Sequence, residues 1–448
     1  MREFRVGRIV DAAVTVEVRT AEAISARASA GGSVRAESAY IGWMPTANPF
    51  RALVKHRNFR LFWFGQTLSL VGTWMQTMAL GWLALQLSNS PFVVGLVASA
   101  SSWPIVGFSL FTGVLVDRSD RLKLVQVGQI LFLVQAVALW WISWSGAATV
   151  WWLVVLAFAN GLINAVEIPA RQSLMVELVG REDLRDAIAL NSSGFNLARI
   201  VGPALGAAAI AQLGISWCFG LNALSYVAVL IALYMIRIPE WRPAAPVASP
   251  LAGAVEGVRY LRDTKPVAAM LKVVAVYSVL GVPYLTLMPV VARDRLHMGA
   301  GGYGLLLACV GVGGLGGALW LAAVGGNFER GRLWEHGTRA YALLLVLFGL
   351  VYTPAMAYPV LFVVGFAMIV SGALANSILQ SIVPDDMRGR LMAAYSFVVV
   401  GLSQAVGSLI AGTIAERLGD QLAISGTAAI ILAYCMWAFR KSPEMRTL

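Results

Sequence analysis

Charge is scarce in this chain. Of its 448 residues, 13% are Asp, Glu, Lys or Arg, roughly half the share of an ordinary soluble domain. Cysteine and histidine are scarcer still, at three each. Cys218, Cys309 and Cys435 sit in separate apolar runs, and His56, His297 and His336 are equally scattered. Such spacings exclude a disulfide scaffold, a redox pair and a zinc site. No HExxH, Walker segment or nucleophile elbow occurs either, so neither an enzyme nor an ATP-driven pump is expected, and nothing calls for a metal or a cofactor. What the chain has is apolar bulk: 58% hydrophobic residues, 15 Trp, 44 Gly and a mean hydropathy of +0.73. In water that composition would expose large apolar patches. In a bilayer about 20 apolar residues cross the hydrocarbon as a helix, so the length leaves room for about a dozen spans.

From Phe59 onward, apolar runs alternate with short polar breaks. They predict helices over 60–86, 92–115, 123–145, 149–168, 186–212, 216–237, 267–292, 302–325, 338–353, 358–380, 390–415 and 421–439. Residues 1–50 lack a long apolar run and do not read as a signal peptide. They are expected to be a disordered cytoplasmic extension, or sequence upstream of a start at Met44. Residues 238–266 form a central linker. It opens with Pro239, Pro243, Pro246 and Pro250, then turns amphipathic, as a helix lying on the membrane surface would.

The net charge of +11 would suggest nucleic acid in a soluble protein, but here its distribution gives the orientation. Of 34 Lys and Arg, the loops on one side hold only Arg293, Arg295 and Arg417, while the other side holds most of the rest. The basic side is cytoplasmic by the positive-inside rule, and both termini fall on it.

The halves echo each other. Glu182-Asp183-Leu184-Arg185 matches Asp385-Asp386-Met387-Arg388, and Leu213-Gly214 matches Leu418-Gly419 at nearly the same offset. A six-plus-six repeat is characteristic of transporters, with a substrate site between the halves near the midplane. The expected fold is an all-α membrane protein of twelve transmembrane helices in two pseudo-symmetric bundles, 51–237 and 267–440, with a short cytoplasmic tail, 441–448.

The loop GVLVDRSDRLK carries Gly113, Asp117, Arg118, Arg121 and Lys123. Gly113 suits close helix packing, Asp117 suits the N–H groups of a neighbouring helix start, and Arg121 and Lys123 suit acids on adjacent loops. The loop resembles the G-x-L-x-D-R-x-G-R-[KR] segment of the major facilitator superfamily, with Asp120 in place of the usual glycine. NFRLFWFGQTLSLVGTWMQTMALGWLALQLSNSP, PARQSLMVELV, NSSGFNLARIVGPALG and VPDDMRGRLMAAYS resemble the enterobactin-exporter-like, or transmembrane secretion effector, branch of that superfamily, over about 50–440. The resemblance implies alternating access in the inner membrane, export of siderophores, drugs or metabolites, protons as the coupling ion, and a monomer. Antiport has weak local support: IVGPALG matches the antiporter motif only in part, and the helix-4 segment from Phe158 to Ala165 lacks the arginine that antiporters often carry there.

Polar residues inside spans suggest function. Gln66, Ser69, Thr73 and Gln76 share one face of helix 1, Asn160, Asn164, Glu167 and Arg171 one face of helix 4, and Ser192, Asn196, Arg199 and Pro203 one face of helix 5. These stripes line a cavity or bond to one another. Trp74 and Trp103 are candidate cavity aromatics suited to planar or cationic substrates. Glu167 either exchanges protons or pairs with Arg171. Arg199, near mid-bilayer, either meets an anionic substrate or holds carbonyls and amides. Gly311, Gly313, Gly314, Gly316 and Gly317 read as close helix packing, since no strand precedes them and no Gly-Lys-Ser/Thr follows. Import of a sugar or organic acid is the rival to export; a membrane-embedded enzyme or receptor is the remote alternative.

Overall fold

The computed structural model describes residues 50–238, 264–324 and 328–447. The extension 1–49 and most of the linker with its amphipathic segment lie outside the described residues. Among those described, twelve long helices follow one another, and no strand occurs. They are α1 (Arg57–Ser88), α2 (Pro91–Ala100 and Trp103–Asp117), α3 (Arg121–Trp144), α4 (Val150–Val179), α5 (Leu184–Leu213) and α6 (Ser216–Tyr234) in the first half. The second half has α7 (Lys265–Arg295), α8 (Ala300–Val324), α9 (Arg330–Gly349), α10 (Pro354–Ile382), α11 (Asp385–Leu418) and α12 (Asp420–Lys441).

Eleven of the twelve are long and apolar enough to cross a membrane. The exception, α9, carries Arg330, Arg332, Glu335 and Arg339 in its first half. Those charges hid its start, which sequence placed at 338. Three of the four pair: Arg332 with Glu329, and Glu335 with both Arg339 and Arg446, whose Nε lies 2.8 Å from Glu335 Oε2. Helix α4 likewise runs to Val179, well beyond the expected end at 168, passing through Pro169.

Local chemistry sets the ends. Ser90 caps α2 by accepting from Val93 N at 3.3 Å, with Pro91 in the first turn, where its missing N–H costs nothing. Asp120 caps α3 by accepting from Lys123 N at 3.2 Å, a role glycine cannot fill. Gly214 and Gly419 end α5 and α11 in nearly the same left-handed geometry, φ 90° and 86°, which a Cβ would disfavour. The two positions that aligned by sequence thus have one backbone shape. In α7, Pro283 and Pro289 break the helix, and Val282–Leu285 tightens to a 3-10 turn.

In lipid, helices are not driven together by the hydrophobic effect, so close packing of small residues carries the bundle. The glycine run of α8 lies against α10: a Cβ on Gly313 would come within 1.8 Å of the Phe362 carbonyl oxygen. One buried apolar cluster comes wholly from residues 52–236 and another wholly from 267–445. Two further clusters join the halves, one setting Met78, Trp82 and Ala207 against residues of 277–428 and the other setting Val290 against the first half, so the architecture is two six-helix bundles packed on each other.

Candidate functional site

The bundles meet along two seams related by the internal repeat, α5 with α8 and α2 with α11. On the first, Gly304 faces the Pro203 carbonyl and Ala207, and Gly311 faces Ile200. On the second, a Cβ on Gly95 would lie 2.4 Å from the Ser408 carbonyl oxygen. Ser99 Oγ donates to the Gln404 carbonyl at 3.2 Å and Trp103 Nε1 to that of Ala405 at 3.1 Å.

At the end away from the basic loops, polar contacts join the halves. Ser90 Oγ and Phe92 N both donate to Glu416 Oε2, at 2.8 and 3.3 Å. Arg293 Nη1 donates to the Leu85 carbonyl at 3.2 Å and to Asn89 Oδ1 at 2.8 Å. Beneath them Trp82 stacks on Tyr303, with centroids 5.8 Å apart and planes 19° apart. This end is closed.

The polar stripes differ in what they face. Gln66, Ser69 and Gln76 are 5%, 2% and 4% exposed. Gln76 departs from the expected cavity role: its Nε2 donates to Gln135 Oε1 at 3.1 Å, and its Oε1 accepts from Asn222 Nδ2 at 2.8 Å, which ties α1 to α3 and α6. Thr73 Oγ1 donates to the Ser69 carbonyl and lies 3.2 Å from the Tyr226 hydroxyl. Glu167, 3% exposed, accepts from Gln129 Nε2 at 3.1 Å and pairs with Arg171 at 3.1 Å. Asn164 Nδ2 donates to Asn160 Oδ1 at 2.8 Å, and Asn196 Nδ2 to the Ser192 carbonyl at 2.9 Å, both within their own helices. Trp74 sits against Phe195 of α5, ring centroids 5.7 Å apart.

Arg199 stands midway along α5, where Nη2 lies 2.7 Å from the place a Cβ on Gly314 would take. Nε and Nη2 are buried with no hydrogen-bond partner among the described residues.

The family described as transmembrane secretion effector matches residues 47–447, nearly the whole chain. The chain belongs to that family. Its members are transporters of the major facilitator superfamily. The enterobactin exporter of Shigella flexneri is 24% identical over 405 residues, covering 88% of this chain and 96% of that protein. Among solved structures, an inward-facing bacterial homologue of the human lysosomal transporter Spinster superposes with TM-score 0.69 at 14% identity, covering 89% of this chain and 99% of the other. A peptide transporter in complex with sulfate superposes with TM-score 0.71 at 13% identity, covering 87% and 95%. At such identities the structures establish the fold alone.

In this transporter of the secretion effector family, the loop between α2 and α3 is only partly engaged. Arg121 Nη1 lies 2.5 Å from Glu177 Oε1, and Lys123 Nζ lies 3.6 Å from Asp120. Asp117 and Arg118 are exposed. Gly113 differs from expectation: among the described residues nothing lies within 4 Å of where its Cβ would be, so none of the described helices packs closely on it.

The same end carries a cluster that sequence reading missed. Asp183, 4% exposed, takes Lys55 Nζ at 2.6 Å, His56 Nε2 at 2.8 Å and Arg51 at 3.6 Å. Hydrogen bonds from Lys55 and His56, helped by the charges of Lys55 and Arg51, overcome burial and hold its carboxyl down at about 2. Sequence had noted Asp183 only as a repeat marker. Gln129, Gln135 and Asn222 were also missed, although a polar residue inside an apolar run, the signal applied to helices 1, 4 and 5, was present in helices 3 and 6.

Proposed function

We propose that this transporter exports small organic molecules by alternating access in the bacterial inner membrane, as a monomer with both termini cytoplasmic and protons as the coupling ion. One observation carries the reading. The end closed by Glu416 and Arg293 is the one poor in basic loops, and Asp117 and Arg118 of the motif loop at the opposite end are exposed. Under the positive-inside rule that is a seal on the outer face, with the interior open toward the cytoplasm, the loading state of an exporter. The likeness to an enterobactin exporter supports the outward direction. The cavity is lined from α1, α4 and α5 by Thr73, Trp74, Asn160, Asn164 and Asn196, with Trp103 at its rim, while Gln66, Ser69 and Gln76 are too buried to line it; bundles 51–237 and 267–440 rock about it. Glu167, gripped by Arg171 and Gln129, is the carboxylate through which a proton would act.

The experiment is flux. Purified protein is reconstituted in liposomes in a known orientation, and ethidium movement is followed with and without an imposed proton gradient. Outward movement, accelerated by protons entering from the outer side and slowed in Glu167→Gln, is the expected result. Inward movement under the same gradient overturns export, and indifference to the gradient overturns proton coupling.

A further inference from the structure

Arg199 is a cation without a counter-charge at the centre of a membrane helix. A guanidinium keeps its proton in proteins, and an uncompensated charge at this depth is strongly disfavoured. No ion pair reaches Arg199 from the described residues, and Glu167 is already held by Arg171 and Gln129. No described residue supplies the missing negative charge, which leaves Arg199 open to an anion from outside.

The surroundings say what kind of molecule brings it. Across the seam, Gly314 of α8 leaves the space that Nη2 fills. Tyr284, in the 3-10 break of α7, lies within electrostatic range of Arg199, and Tyr341 within range of Tyr284. Both tyrosines are buried, at 3% and 0% exposure, and both hydroxyls lack a partner among the described residues. Of the two, only Tyr284 is in range of Arg199, so one guanidinium from one bundle and one unpaired O–H group from the other are the donors offered to a charged acceptor. One turn from Arg199 along α5, Phe195 meets Trp74 and offers an apolar face.

The geometry points to an organic-anion site, in which a substrate's carboxylate, sulfonate or phosphate group docks between Arg199 of the first half and Tyr284 of the second, its apolar body toward Phe195 and Trp74. The inference rests on the export reading and names its substrate class. Because the two donors belong to different bundles, the anion also bridges the parts that move.

The test uses the full chain with carboxyfluorescein as the anionic probe and ethidium as the cationic one. Binding is read in detergent by fluorescence polarisation, and flux is read in liposomes. Carboxyfluorescein is expected to bind the wild type. In Arg199→Ala the ratio of carboxyfluorescein to ethidium flux should fall about tenfold or more, the worth of a hydrogen bond to a charged group. Arg199→Lys should fall between, since it keeps the charge but loses the planar fork. Tyr284→Phe removes one oxygen and should raise KM for the anion with kcat little changed. An Arg199→Ala protein that loses both dyes in step with its folded, monodisperse yield would make Arg199 scaffold and overturn the inference. Ethidium export without carboxyfluorescein binding overturns the anion site alone. Anion binding without outward flux of either dye leaves the site and overturns export.

Discussion

Ser90 Oγ donates to Glu416 Oε2 across the two bundles at 2.8 Å. The same carboxylate accepts from Phe92 N, so an acid of the second half caps the N-terminus of α2, where the helix dipole is positive. Five residues before Ser90, the Leu85 carbonyl accepts from Arg293 at the C-terminal end of α1, where the dipole is negative. The turn between α1 and α2 is held by two charges of opposite sign, each matched to the helix end it touches.

Glu416→Gln should loosen this seal. A charge at a helix end is worth about 0.3–1 kcal/mol, and up to about 2 in partly buried sites. The outward-open population should rise accordingly. With the native cysteines replaced and Cys placed at Met78, which is 1% exposed in the seam, an impermeant maleimide added outside should label the Glu416→Gln protein faster than its parent. Equal labelling rates would remove Glu416 from the seal.

Asp183 should make stability depend on acid. Its carboxyl is lowered from an ordinary 3.8 to about 2. A lowered carboxylate contributes stability that is fully present above the unfolded value and is lost as pH falls through the folded one. Asp183→Asn should therefore melt below wild type at pH 7, and the gap should close between about pH 4 and pH 2. A gap of constant size across that range would show that the pairing with Lys55 and His56 contributes nothing.

Asp117→Asn should slow transport with little change in thermal stability. Asp117 is exposed here, and under the proposed cycle its charge acts when that end of the transporter closes. A contact to a helix start is worth about 0.3–2 kcal/mol. Flux equal to wild type in liposomes would leave the motif loop as a turn and nothing more.

Gln76→Leu should weaken the first bundle. It removes two bonds between helices, to Gln135 and from Asn222, worth together about 1–2 kcal/mol in a membrane protein. The melting temperature should fall. A change in substrate selection larger than the loss of folded protein would return Gln76 to the cavity.

Helix number and the internal repeat were legible from the chain alone. Each follows from where a residue partitions between water and hydrocarbon, or from a local rule such as a proline or glycine at a helix end. Leu213-Gly214 and Leu418-Gly419 matched as letters and then as φ angles. Where local charge misled, at the start of α9, the distant partner Arg446 explained it.

Which way each polar stripe faces was decided only by the tertiary structure. Gln76 and Arg199 looked alike in sequence, as polar residues at helical spacing in an apolar run. One is tied to two amides inside its own bundle, and the other meets the opposite bundle with two nitrogens unpaired. Helical periodicity gives the face of a helix but not its rotation about the axis relative to its neighbours. That rotation is set by how α5 packs on α8 and α1 on α6, through contacts between residues more than a hundred positions apart, such as Arg199 with Gly314 and Gly72 with Asn222.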